Sequence, residues 1–225
     1  MLEVITRKQS IRPSALIVSA LFVIIGILGA TNGWIFAYLW LPIMGTLALV
    51  TQFGVKGTTQ LFPKFEARHW KATIVILMIT YIVSIATSLI GKAFKFGNQS
   101  ANPAAGPLED GGFAAFKLLA TTWVSLIGEE LVTAAIAFPI FIYAKKRFSI
   151  KSSIFIALMI SSIAFGLMHL NAYDWNWYQC LVVIGLTRIP LTLLWFKTNT
   201  LWSGIICHII YDYIIFIFVF LVGLL

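Results

Sequence analysis

The chain has 225 residues, 60% of them hydrophobic and 11% charged, with a mean hydropathy of +0.94; soluble domains carry about 25% charged residues, so an ordinary soluble domain is excluded. This is the composition of a polytopic membrane protein. The formal net charge of +8 comes from lysines and arginines scattered between apolar runs, with no basic stripe or arm, which argues against nucleic acid and for charge that orients the chain in a bilayer.

Arg7, Lys8 and Arg12 precede an apolar run, as in a signal peptide, but no small-x-small cleavage site and polar mature domain follow it. The run therefore reads as a first span, Ser14 to Ala30, joined through Thr31, Asn32 and Gly33 to a second, Trp34 to Gln52. Gly54 to Lys71 holds Lys56, Lys64, Arg68 and Lys71 against the single acid Glu66, and reads as a cytoplasmic loop lying in part on the bilayer surface; its His69 is most simply an interfacial side chain. A third span, Ala72 to Ile90, leads into the longest polar stretch, Gly91 to Gly112. Asn98, Gln99, Ser100, Asn102, Pro103 and Pro107 make this a loop, and Glu109 and Asp110 suit the outer face.

The fourth span, Phe113 to Tyr143, exceeds the roughly 20 residues of a perpendicular crossing, so it must tilt, protrude or break, with Pro139 as the place for a kink or end. Lys145, Lys146, Arg147 and Lys151 then form the densest basic cluster. A fifth span, Ser152 to Leu170, exits at Asn171 to Trp177, where Tyr173, Trp175, Trp177 and Tyr178 read as an aromatic belt. The sixth span is Gln179 to Phe196 and the seventh Leu201 to Leu225. Twelve of the sixteen basic residues fall in segments assigned to the cytoplasm, Lys92 and Lys95 fall outside, and Lys117 and Arg188 lie within spans. The expected architecture is thus all-α: one integral-membrane domain, 1–225, of about seven (six to eight) transmembrane helices enclosing a buried polar catalytic cavity, N-terminus cytoplasmic and C-terminus outside. Cys180 and Cys207, within or beside apolar runs, read as buried thiols.

Apart from Lys117 near the start of the fourth span, six ionisable residues fall inside the spans: Glu129, Glu130, His169, Arg188, His208 and Asp212. A lone charge at mid-bilayer costs roughly 2.5 to 3.5 kcal/mol on insertion scales, so the adjacent pair Glu129-Glu130 needs a reason. At about 1.5 Å rise per residue, Glu129 lies roughly 22 Å, His169 roughly 26 Å and His208 roughly 17 Å from the inner edge, one layer within the error of the boundaries. Phe165 and His169 share a helix face, as do His208 and Asp212, so Asp212 is placed to orient His208 or to bind beside it. Glu129 and Glu130 are about 100° apart on a helix, so one belongs to the reaction centre and the other supports it. A carboxylate in such a cavity can act as general base toward water while histidines stabilise an oxyanion; alternatively Glu129, His169 and His208 hold a divalent metal such as zinc with an open position for water. Both versions hydrolyse a peptide bond, and the residues alone leave both open.

A Glu-Glu pair in one membrane helix, then Phe-x-x-x-His, then His-x-x-x-Asn or Asp, in that order, resembles the CAAX prenyl protease and bacteriocin-processing family, also called the Abi or CPBP family of intramembrane proteases. The motifs are Glu129-Glu130, Phe165 to His169 and His208 to Asp212, all in the half from about Phe113 to the end. The resemblance implies that Glu129 activates water with His169, that His208 with Asp212 forms the oxyanion site or completes a metal site, and that Glu130 is a supporting acid. It also implies CAAX processing, or bacteriocin and peptide maturation and self-immunity; the depth of the centre points to hydrophobic, lipidated or membrane-tethered peptides, with membrane lipids, as partners, and the compact size without targeting extensions suits a prokaryotic plasma membrane. Where the family motif commonly continues Glu-Glu-x-x-x-Arg, this chain has Ala134. Arg188, at nearly the same depth, is the candidate to supply that charge from another helix. A proton-coupled transporter would be expected to show repeated halves, which the sequence lacks; a non-catalytic immunity or scaffold protein of the same fold is the other alternative.

Overall fold

A computed structural model describes residues 1–97, 99, 100, 102 and 105–223, without the side chains of 109, 110, 222 and 223. Asn98 and Pro103 of the polar loop, the side chains of Glu109 and Asp110, and the last two positions of the seventh span lie outside the described residues. The elements are α1 (Leu2–Arg7), α2 (Pro13–Thr31), α3 (Ala37–Thr59), α4 (His69–Ala93), α5 (Gly106–Asp110), α6 (Gly112–Ala144), α7 (Ile150–Met168), a π-helical stretch (Tyr178–Ile184) continuing as α8 (Gly185–Thr198), and α9 (Leu201–Gly223). Among the described residues there is no strand, and seven helices are long and apolar enough to cross a membrane. The chain is an integral membrane helical bundle.

Local chemistry sets the helix ends. Pro13 occupies the first turn of α2, where its missing N–H is not needed. The Ser149 side chain caps α7 by accepting from Ser152 N at 3.2 Å, and α8 stops at Asn199 in left-handed conformation. Helix α3 breaks at Gly54, whose φ of 71° suits glycine, and the following turn to Thr59 carries the exposed Val55 at the end of the bundle. The basic segment is therefore part helix, and α4 starts at His69, three residues earlier than expected. His69 is buried within the protein: its Nδ1 accepts from Glu66 N–H at 3.1 Å and its ring packs on Phe65.

Helix α6 is the axis. Of its most apolar window 67% is buried, as is 67% of Tyr178–Thr198, against 17% for α4, so these two are inner helices and the others face lipid with one side. Pro139 neither ends nor interrupts α6, which runs on to Ala144. A proline there cannot donate to the carbonyl of Ala135. Gln52 Nε2 of α3 donates to that carbonyl at 2.7 Å and to Ser19 Oγ of α2 at 2.6 Å, so a neighbouring helix satisfies the freed group, as the bilayer interior requires.

The N-terminal segment, read from sequence only as a basic lead, folds under one end of the bundle. Met1, Ile5 and Ile11 are buried beside Leu61 and Phe138. Leu2 N donates to Asn199 Oδ1 at 2.6 Å, Tyr143 Oη to Ile11 O at 2.9 Å, and Lys145 Nζ to Thr6 O. At the other end the 169–177 turn differs from the expected aromatic belt. Trp175 and Trp177 are exposed, but Tyr173 is buried and Tyr178 Oη donates to Thr87 O at 2.8 Å. Two positive-φ residues, Asp174 and Trp175, turn the chain so that alternate aromatics face opposite ways. Cys180 and Cys207 are buried free thiols.

Candidate active site

Four helices converge on Glu130. It is fully buried, and Arg188 Nη1 of α8 forms an ion pair with its Oε1. His208 Nδ1 of α9 lies 2.9 Å from the same oxygen, and Trp195 Nε1 donates to Oε2 at 2.8 Å. Arg188 in turn donates from Nε to Thr192 Oγ1 at 3.2 Å, and its guanidinium stacks between Phe165 of α7, 4.8 Å away, and Trp195, 5.2 Å away. Paired with Glu130, bonded to Thr192 and lying over two aromatic rings, the guanidinium has the company that makes a buried ion pair tolerable in a medium of low polarity, although among the described residues its Nη2 has no hydrogen-bond partner. Position 134, where an arginine commonly follows the Glu-Glu pair, holds a fully buried alanine, and the cation beside Glu130 arrives instead from α8.

Glu129 points elsewhere. Its side chain keeps 18% of its surface open, and its Oε2 lies 3.9 Å from His208 Nε2, beyond hydrogen-bond distance. It faces a cavity of about 670 Å³ whose lining also includes His169, Arg188, His208 and Asp212. The 100° between successive residues of a helix thus places one carboxylate in the cavity and seals the other in its wall.

His208 is held at both nitrogens. With Nδ1 donating to Glu130, Nε2 faces the cavity 3.4 Å from Asp212 Oδ2, one helical turn on. His169 follows the last residue of α7, and its Nδ1 lies 2.8 Å from Phe165 O. A carbonyl only accepts, so Nδ1 carries the proton in that bond and Nε2 is left with a lone pair. Phe165 links the two imidazoles, its ring 4.7 Å from that of His169 and 6.2 Å from that of His208. All seven residues singled out in the sequence, Glu129, Glu130, Phe165, His169, Arg188, His208 and Asp212, therefore meet in one region. Among the described residues, no group of three or more His, Cys, Asp and Glu stands ready to hold a metal ion.

Three participants were not read from the sequence. Trp195 completes the Glu130 cradle; its spacing from Arg188 and Thr192, at i, i+4 and i+7, was the available signal. The second is Tyr173, whose backbone N donates to His169 O at 3.2 Å, setting both side chains on one side of a helical turn at the cavity. Burial, with the Asp212 and Glu129 carboxylates nearby, pushes the Tyr173 hydroxyl above the usual tyrosine range, so it stays protonated and able to donate. The third is the π-helical stretch, whose wider turn precedes Thr187 and Arg188 and puts Gln179, Val183 and Ile184 on the cavity.

Gly204 of α9 is needed for the cradle. A methyl group there would overlap Trp195 Nε1 and come 2.8 Å from Glu130 Oε2. Gly204→Ala is expected to cost about 1 to 3 kcal/mol through overpacking, read as a lower thermal midpoint in detergent together with reduced activity; an unchanged midpoint would show that the indole can move aside.

Residues 111–214 match the family model described as type II CAAX prenyl endopeptidase Rce1-like, a span that contains all three motifs. No curated protein and no solved structure matches the chain at a significant level. The segment that carries Glu129, His169 and His208 is thus similar to the Rce1-like type II CAAX prenyl endopeptidases, the peptidase family that the motifs resemble.

Proposed function

We propose that the protein is an intramembrane endopeptidase that hydrolyses a peptide bond of a membrane-associated, hydrophobic or lipidated peptide, using Glu129 to activate water. The observation that carries this reading is the division of the glutamate pair: Glu130 is saturated by Arg188, Trp195 and His208, whereas Glu129 is open to the cavity. Glu129 takes a proton from water as the water oxygen adds to the scissile carbonyl carbon. The oxygen of the tetrahedral adduct is stabilised by donors on the cavity wall, the Tyr173 hydroxyl and His208 Nε2, the latter in the doubly protonated ring that the Glu130 and Asp212 carboxylates on its two sides favour. His169, its Nδ1 tied to Phe165 O, presents Nε2 to hold the attacking water. The proton on Glu129 then passes to the amide nitrogen as the C–N bond breaks, giving a carboxylic acid and an amine, and transfer of the acid's remaining proton to the amine leaves a carboxylate and an ammonium. Asp212, beside His208, fixes the orientation of that ring.

Cleavage of hydrophobic peptides by the detergent-solubilised protein tests this. Wild type is expected to turn over, with His169→Ala and His208→Ala each slower by 10²-fold or more, the usual range for acid-base groups. Equal turnover in wild type and both variants would overturn the mechanism, and no turnover in any would favour a non-catalytic protein of the same fold. Chelator titration with metal analysis of the same sample decides the metal question: activity that survives stripping fits the scheme above, and activity lost on stripping and restored by zinc would replace it with metal-bound water. The membrane that houses the protein is proposed to be a prokaryotic plasma membrane, with twelve basic residues on one side against two on the other holding the N-terminus in the cytoplasm.

A further inference from the structure

The cavity runs to one end of the bundle. Its lining starts at Glu129, Arg188 and His208 and continues through Ser125, Thr122 and Thr121 of α6 to Thr31, Tyr38, Asn102 and Asn171, which lie at or beside the α2–α3, α4–α6 and α7–α8 connections. Among the described residues, none of the lining comes from 53–70, 144–151 or 197–200, the connections at the other end. That other end is closed by the N-terminal segment, with Met1, Ile5, Ile11 and Leu61 buried and α1 tied to Asn199 and Lys145.

Charge marks the two ends oppositely. The closed end carries Arg7, Lys8, Arg12, Lys56, Lys64, Arg68, Lys71, Lys145, Lys146, Arg147, Lys151 and Lys197, twelve of the sixteen basic residues, whereas the connections at the open end carry only Lys92 and Lys95. All these connections are short, the condition under which basic residues decide orientation. The exposed Trp175 and Trp177 sit at the open end, as interfacial anchors do.

We infer that the reaction centre is entered from the non-cytoplasmic side of the membrane, and that its substrate is an apolar peptide segment presented there after translocation or from the outer leaflet, not the tail of a cytoplasmic protein. The substrate half of this inference rests on the peptidase reading; the sidedness does not. Backbone amides of such a segment would meet the hydroxyls of Thr121, Thr122 and Ser125 on the way to Glu129. Thr121 and Thr122 already donate to Lys117 O and Leu118 O, so each offers its oxygen as an acceptor for a peptide N–H.

Cysteine accessibility in sealed right-side-out spheroplasts tests the sidedness. The native thiols are buried and give the background. A membrane-impermeant maleimide is expected to label Trp177→Cys before permeabilisation, and Lys64→Cys and Arg147→Cys only after it. A small cationic methanethiosulfonate should reach Ser125→Cys from outside. The reverse pattern, equal labelling of both ends, or a Ser125→Cys that is protected from outside would overturn the inference. For the substrate, an apolar peptide with sulfonated end groups, chosen because the detergent-solubilised enzyme cleaves it, should be cut by sealed spheroplasts carrying wild type. Cleavage that requires permeabilisation would overturn the assignment. Labelling is read without turnover, so failure of the peptidase reading leaves the sidedness result standing, and the converse also holds.

Discussion

Glu129→Gln is expected to lower kcat by 10²- to 10⁴-fold with the fold and thermal midpoint intact, because the amide keeps the shape of the side chain and loses the capacity to take a proton. The side chain is partly open to the cavity and forms no short ion pair, so the fold loses little when its charge is removed. The same substitution next door should behave differently. Glu130→Gln removes the anion that Arg188, His208 and Trp195 all address, so it should lower the midpoint as well as the activity. Measuring kcat and thermal midpoint for both variants checks the division of labour directly. Comparable residual activity in Glu129→Gln and wild type would remove Glu129 as the base, and equal loss of stability in both variants would remove the distinction between them.

Arg188→Met is the second large effect. It leaves a buried carboxylate with only Trp195 and His208, and removal of one partner from a buried ion pair typically costs about 3 to 5 kcal/mol. We expect loss of folded protein or a steep fall in midpoint, read by size-exclusion chromatography and thermal unfolding in detergent. The double variant Glu130→Gln with Arg188→Met should recover most of the stability, because the remaining groups are neutral and of similar volume. An undisturbed single variant would mean that the guanidinium does not balance Glu130. Failure of the double variant to recover would locate the cost in the stacking of Arg188 on Phe165 and Trp195 rather than in charge.

Much of this was legible because a bilayer makes polarity conspicuous. Seven apolar runs gave seven helices, and the few ionisable residues inside them marked the polar layer in which Glu129, His208 and Asp212 meet. The vacancy at Ala134 pointed to a cation from elsewhere, and Arg188 was the one left over. The sequence was less informative where an aromatic has two possible surroundings. Tyr173 and Trp175 are equally plausible at an interface, and only the positive-φ turn at Asp174 and Trp175 sends one inward and the other out. Trp195 was silent for a related reason, since an indole in an apolar helix reads as bulk until its N–H is seen to have a partner. Pro139 does not end α6, because Gln52, 83 residues before Ala135 in the chain, satisfies the carbonyl that the proline frees.

That glutamine also separates two kinds of boundary. Family likeness covers 111–214, yet the backbone of α6 inside that span depends on a side chain from α3, which in turn is fastened to α2. The portion that resembles the family is therefore not the portion that can be excised. A fragment starting near residue 111 would carry an unmet carbonyl into the bilayer at Ala135, and whatever element replaces the α2–α3 hairpin in another protein with Pro139 must bring its own donor to that depth. Family likeness and mechanical self-sufficiency divide this chain in different places.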